Sequence, residues 1–420
     1  MTRPKLPRRK AYAPRRVPPP LAHSLGAEGF PGLEVLEEFG GLGGLVLWFA
    51  CRDAELWATA PEKEGLFADA PAQWSELIGQ LDSTFASAAP RLRLLASLSG
   101  GREATSVATD CGAIAEWAEE RSRLVTAVEF SQVASLADPE FPLHAARTAR
   151  ILKDRAEWDR SASWYDQAIF TARRVEDWYV YADAYCGLGD LYFERGNLPR
   201  ARRLFRRALR AAIRHHIDEQ VANAYHYLFT LEAVAGNWER AEAFVVNALA
   251  KYPEHSPRRA RLARDLGYRW ILRGYFERAL PLAQEVLNHF TAPGLRALVW
   301  SDIARAAAGA GDEGAFETAW AQAKVLLDGG VTDPYTPTIL LNLAHGAAFR
   351  GEVARATFPA RTAAEIARTR GEPQFVLEAE ALLDSLKSAG FVRPERGPPR
   401  LAGDLVDEVL RIMKEHRAVA

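Results

Sequence analysis

The chain has 420 residues, 48% hydrophobic and 25% charged, which is enough for a large buried core and excludes a wholly disordered polymer. Its 53 basic and 54 acidic side chains leave a formal net charge of −1, which excludes a global electrostatic pull toward nucleic acid or anionic membrane. Cys51, Cys111 and Cys186 are too few and too scattered for a disulfide framework, and read as small packing residues of a cytoplasmic protein.

In chain order, residues 1–28 form a basic, proline-rich arm. Arg3, Lys5, Arg8, Arg9, Lys10, Arg15 and Arg16 all precede the first acid, Glu28. Such a segment buries little apolar surface and is expected to be disordered, a candidate electrostatic arm for an acidic partner or nucleic acid. Residues 29–102 read as an N-terminal helical cap region, with helices at 42–60, 73–87 and 91–98. Leu45, Trp48, Phe49, Leu56 and Trp57 fall at helical spacing there. Gly40-Gly41-Leu42-Gly43-Gly44 looks like a phosphate loop. However, Glu34, Glu37 and Glu38 spoil the buried strand such a loop needs, and no Gly-Lys-Ser/Thr follows, so the glycines read as a flexible hinge. The apolar run from 42 to 51 stops at Arg52-Asp53, too short to span a bilayer, and no membrane span is expected.

From 103 to 371 one pattern returns. Its clearest copy runs Leu188-Gly189-Asp190-Leu191-Tyr192-Phe193-Glu194-Arg195-Gly196, then Ala201, Phe205 and Ala208. The large position recurs at Phe130, Tyr165, Phe205, Val245, Ala283, Trp320 and Ala360, in steps of 35, 40, 40, 38, 37 and 40 residues. Gly196, Gly236, Gly274, Gly311 and Gly351 recur in phase with it, where a left-handed residue would end the first helix of a pair. Arg121 and Ala156 stand at that place in the first two units, and Phe316 stands where the sixth unit should have alanine. Gly189 and Ala201 read as the small pair at which two helices cross.

This pattern resembles the signature of the tetratricopeptide repeat, a helix-turn-helix unit of about 34 residues that stacks into solenoids. The resemblance implies an all-α, right-handed solenoid of about seven helix pairs, with a helical cap before it and capping helices after it. After the array, residues 372–390 read as a capping helix carrying Phe375, Ala379, Leu382 and Leu386. Residues 391–420 read as a proline-rich linker and a terminal amphipathic helix with Leu405, Val409, Ile412 and Met413.

The resemblance also implies a non-catalytic scaffold or adaptor that holds a protein or peptide in a concave groove lined by the first helix of each unit. The alternative is a regulator that uses the array as a ligand sensor. Carried over residue by residue, the groove takes Arg147, Arg150 and Lys153 from the second unit and Asp183, Asp190 and Glu194 from the third. The fourth gives Asn223, His226, Tyr227 and Thr230, and the fifth Arg261, Arg264, Asp265 and Tyr268. The sixth gives Asp302 and Arg305, and the seventh Asn342 and His345. Some relatives grip the carboxyl-terminal tails of chaperones with fixed cations and amides, but Cys186 and Asp190 stand at two of those places, so chaperone tails are not expected.

One feature lies off the groove. Between Glu194 and Asp218 there is no acid, and Arg203, Arg207, Arg210 and Arg214 fall on one helical stripe, a candidate anion patch for an acidic partner or nucleic acid. No constellation for catalysis is visible. His215, His216 and Glu219 lack the second half of a metal site, and there is no Gly-x-Ser-x-Gly, so no enzyme, metal or cofactor is expected.

Overall fold

The computed structural model describes residues 33–59, 71–98, 102–329, 334–388 and 403–417, and the regular structure among them is entirely helical. The basic arm and the proline-rich linker expected from the sequence lie outside the described residues. The chain opens with α1 (Leu33–Phe39), α2 (Gly41–Thr59), 3-10 segments at Gln73–Gln80 and Ser83–Phe85, and α3 (Ala89–Leu95). Seven helix pairs follow among the described residues. They are α4 and α5 (Ala104–Glu119, Leu124–Ala137), α6 and α7 (Pro142–Asp154, Trp158–Arg174), α8 and α9 (Trp178–Glu194, Leu198–Arg214), and α10 and α11 (Asp218–Val234, Trp238–Lys251). The last three are α12 and α13 (Pro257–Leu272, Phe276–Val286), α14 and α15 (Pro293–Ala310, Glu313–Asp328), and α16 and α17 (Thr336–Phe349, Val353–Arg370). Then come α18 (Pro373–Lys387) and α19 (Gly403–Arg417).

The phased glycines set the turns. Gly196, Gly236, Gly274, Gly311 and Gly351 all have φ between 74° and 86°, a region that L-residues with a Cβ avoid. At Gly196 the reversal is locked by Asn197 N donating to Tyr192 O at 2.8 Å, and the Asn197 side chain accepts from Arg200 N to start α9. Ala156 takes the left-handed place in the second pair, at φ 60°. In the first pair that place belongs to Ser122, not Arg121, because four residues rather than three separate α4 from α5. The first pair's register is therefore shifted by one.

Close packing explains the small residues, with one reassignment. Gly189 does not make room for Ala201; a Cβ there would sit 2.5 Å from Phe205 Cε1, so Gly189 makes room for the aromatic ring of α9. Phe316, the large residue at a small position, is fully buried. It is accommodated by Gly346 of the next pair, whose absent Cβ would lie 3.1 Å from it.

The N-terminal helices lie on the first pair. Trp117 of α4 is flanked by Phe39 and Phe85, with ring centroids 5.1 and 5.3 Å away. Glu38 accepts hydrogen bonds from Val125 N, Thr126 N and Thr126 Oγ1 at 2.7–3.1 Å, so α1 supplies a carboxylate to the amino end of α5. The glycine cluster expected to be a hinge is a packed corner. Gly40 and Gly41 turn left-handed, and Gly44 lies against the Leu36 backbone. The span 73–87 is two 3-10 segments rather than one helix, because Asp82 turns its side chain back onto Thr84 N. At the other end Leu405, Val409 and Met413 of α19 are buried, and α19 packs on α13.

The stack curves until its last pair meets its second. Arg370, at the end of α17, donates to Asp154 O of α6 at 2.9 Å, 216 residues away, and to Pro334 O at 3.3 Å.

The Gly189–Phe205 contact gives a two-step test. Gly189→Ala alone should cost about 1–3 kcal/mol. In a Phe205→Leu background the penalty should shrink, read as melting temperatures around the double-mutant cycle. Additive losses would show that the ring does not occupy the glycine's space.

Candidate functional site

The first helices of successive pairs lie side by side, so residues three, four and seven apart on each helix face one inner wall. Most of that wall's charges are answered by the neighbouring helix. Arg147 reaches Glu116 at 2.5 Å, and Arg150 makes a two-pronged contact with Glu119 at 2.5 and 2.8 Å. Lys153 donates to both Asp190 and Glu194 at 2.8 Å. Asn223 donates to Asp183, His226 Nε2 lies 2.9 Å from Asp265, and Arg264 Nε is 2.7 Å from Asp302. Arg258 skips a pair to reach Asp183 at 2.9 Å, 75 residues away, which shows how tightly the stack bends.

The bend encloses a cavity of about 480 Å³. One wall is charged and comes from α6, α8, α10 and α12, including Arg147, Arg150, Lys153, Asp190, Asn223, His226, Tyr227 and Arg264. The other is apolar: Phe290, Leu295, Leu298 and Val299 at the start of α14, with Tyr335 beyond it. Leu143, 46% exposed, also lines the cavity. Two cations are incompletely answered. Arg261 is exposed and makes no ion pair among the described residues, though its charge helps lower Glu119, and Arg258 Nη1 is buried without a hydrogen-bond acceptor.

The remaining expected groove residues sit elsewhere. Asp302, Arg305 and Asn342 are 2%, 4% and 0% exposed. They form a buried network in which Asn342 donates to Asp302 and Ser301 and accepts from Arg305, so they join α14 to α16 and present nothing to a ligand. Contacts with one another and with Arg264 of α12 cover them. Tyr268 does not line the cavity; the Arg264 guanidinium lies 4.8 Å from its ring centroid. His345 is bonded to Glu378 of α18 at 3.2 Å. Tyr227 reaches the cavity while lying on Phe205, ring centroids 5.1 Å apart. The apolar wall had no signal in the repeat pattern, since it arises only when distant pairs curl toward each other. Arg203, Arg207, Arg210 and Arg214 are exposed on α9, which contributes nothing to the cavity.

Burial and crowding shift the wall's acids in opposite directions. Burial pushes Glu194 up to about 7; Lys153 opposes this and Asp190 adds to it. Burial would also raise Asp265, but the His226 hydrogen bond and charge, with Arg264, carry it down to about 2. Burial pushes all three cysteine thiols up, which leaves them poor nucleophiles.

A family model described as tetratricopeptide repeat matches residues 144–214, the span of α6 through α9. Over that span the chain carries tetratricopeptide repeats. The other five pairs extend the same helix-turn-helix architecture on both sides of the matched span. No curated protein sequence matches the chain. Similar solved structures include BtubC (BKLC) from P. vanneervenii, 20% identical over 51% of this chain and 92% of that one, TM-score 0.39. A Rap protein complexed with Competence and Sporulation Factor is 12% identical over 86% and 99%, TM-score 0.40. Yeast Tom70 is 15% identical over 86% and 76%, TM-score 0.44. No described helix of this repeat protein is long and apolar enough to cross a membrane.

The raised Glu194 gives a pH test. Its folded value of about 7 stands above the ordinary 4.5, so the folded state holds the proton more tightly. That contribution is complete below about 4.5 and is lost as pH rises through about 7. Glu194→Gln, which keeps a neutral side chain, should therefore melt at a higher temperature relative to wild type at pH 8 than at pH 4.5. A constant difference across that range would remove the assignment.

Proposed function

We propose that this repeat protein is a non-catalytic scaffold that holds a short protein or peptide segment in its central cavity. The observation that carries the reading is the two-sided cavity. One wall offers charge, including Arg261, which makes no ion pair among the described residues, and apolar surface comes from half-buried Leu295 and exposed Leu143. A volume of about 480 Å³ suits a few residues of chain and not a folded domain. A segment carrying a carboxylate near an apolar side chain satisfies both walls: the carboxylate meets Arg261, and the side chain leaves water for the opposite wall. Arg147, Arg150, Lys153 and Arg264 already have acidic partners, so in this reading they shape the wall and Arg261 makes the new bond.

A second reading, a regulator that senses its ligand through the array, draws on the Arg370–Asp154 contact. Filling the cavity would bear on the place where the last pair meets the second.

Selection of a random peptide library on the purified chain supplies a ligand. Arg261→Ala should weaken the selected peptide about tenfold or more at unchanged melting temperature, in the range of an anchoring arginine. Leu143→Ser should weaken it as well. Peptides whose affinity ignores both substitutions would place binding outside the cavity and overturn the scaffold-by-cavity reading.

A further inference from the structure

Helix α9 is two-faced. Ala201, Phe205, Ala208 and Ala212 are buried on one side, and the opposite side carries Arg203, Arg206, Arg207, Arg210 and Arg214, all exposed. In a folded protein such a face is usually neutralised by acids on the flanking helices. Here those acids face other cations, among them Arg200 and Arg202 on the flank of α9 itself. Asp159 pairs with Arg195, Glu232 with Arg202, Asp166 lies in the field of Arg200, and Glu242 in that of Arg273 and Arg278. Arg207 is held by the Tyr181 hydroxyl and lies over the Tyr185 ring. Arg203, Arg206, Arg210 and Arg214 have no ion partner among the described residues. Four guanidinium groups within three turns of one helix repel one another and leave a local positive field on a chain of net charge −1.

We infer that this face of α9 is a docking surface for an acidic helical segment of a partner protein, separate from the cavity. Three features select that occupant. The positions 203, 207, 210 and 214 follow a four-three-four spacing over about 16 Å of helix axis, which is the spacing of one face of a second helix laid along the first. Ile213, 51% exposed, borders the arginines and gives such a helix an apolar contact that a phosphate backbone would not use. The stripe is one helix wide, too narrow for the six to ten phosphate contacts that give a duplex binder its affinity.

The test uses the full chain and a labelled helical peptide of three heptads with Glu at four-three-four spacing and Leu beside it. A second peptide of identical composition scatters the Glu residues, and a 20-base-pair duplex serves as a third probe. The patterned peptide should bind at least about tenfold tighter than the scattered one, more weakly at 200 mM than at 50 mM salt. Replacing Arg203, Arg206, Arg210 and Arg214 together by Gln should abolish the preference with helicity unchanged by circular dichroism. Replacing the same four by Lys should retain most of it, which separates loss of charge from loss of structure. Arg261→Ala should leave the peptide's affinity unchanged, so this outcome is independent of the cavity. Equal binding of the two peptides, indifference to the Gln variant, or a duplex that binds tighter than the patterned peptide through the same four arginines would each overturn the assignment.

Discussion

Each step along the inner edge of this array is fastened by a polar contact that crosses from one first helix to the next. The rungs run from Arg147–Glu116 through Lys153–Asp190 and His226–Asp265 to Arg264–Asp302. Pairs this close to solvent contribute little net stability, and the buried ones repay desolvation before they repay anything else. Apolar burial between neighbouring pairs must supply the stability, as in any stack whose units cannot close a core alone. What the rungs determine is position. Each ties a chosen point on one helix to a chosen point on the next, and seven pairs so joined bend far enough for Arg258 to reach Asp183 and Arg370 to reach Asp154. The cavity is a product of that accumulated bend.

This division of labour decides which cations are available to a ligand. An arginine already held by a carboxylate has little to gain from a second acid. An arginine without a direct partner keeps more of its attraction. On the inner wall that leaves Arg261, and on α9 it leaves four residues of the exposed stripe. Unanswered charge, more than total charge, marks where this protein has attraction to spare.

Much of the architecture could be read directly, because the turn glycines are demanded by backbone geometry and leave a mark at every repeat. Gly196, Gly236, Gly274, Gly311 and Gly351 place five turns, and all five are left-handed. Where the chain replaces the glycine the reading loosens: Arg121 was taken for the turn residue that is Ser122. Packing partners were less legible still. A glycine shows that something comes close without saying what, and Gly189 turned out to face Phe205. The groove positions expected on α14 and α16 are Asp302, Arg305 and Asn342, which are buried in contacts between neighbouring helices that no single helix's pattern encodes. The apolar wall is hidden for the same reason. Phe290 and Leu295 meet the charged helices only after the stack has curled.

Four joints of the array are left-handed without being glycine: Ser122, Ala156, Glu176 and His216, with φ between 56° and 60°. A side chain in that region stores roughly 1 kcal/mol of local strain. All four lie in the first half of the stack, and the last three punctuate α6 through α9. Among the described residues, the joints from Gly236 onward are glycine wherever the backbone turns left-handed and carry no such load. The stack is thus unevenly sprung. That strain is concentrated around the arginine-bearing α9 and its neighbours, while the described joints of the carboxyl-terminal half are free of it.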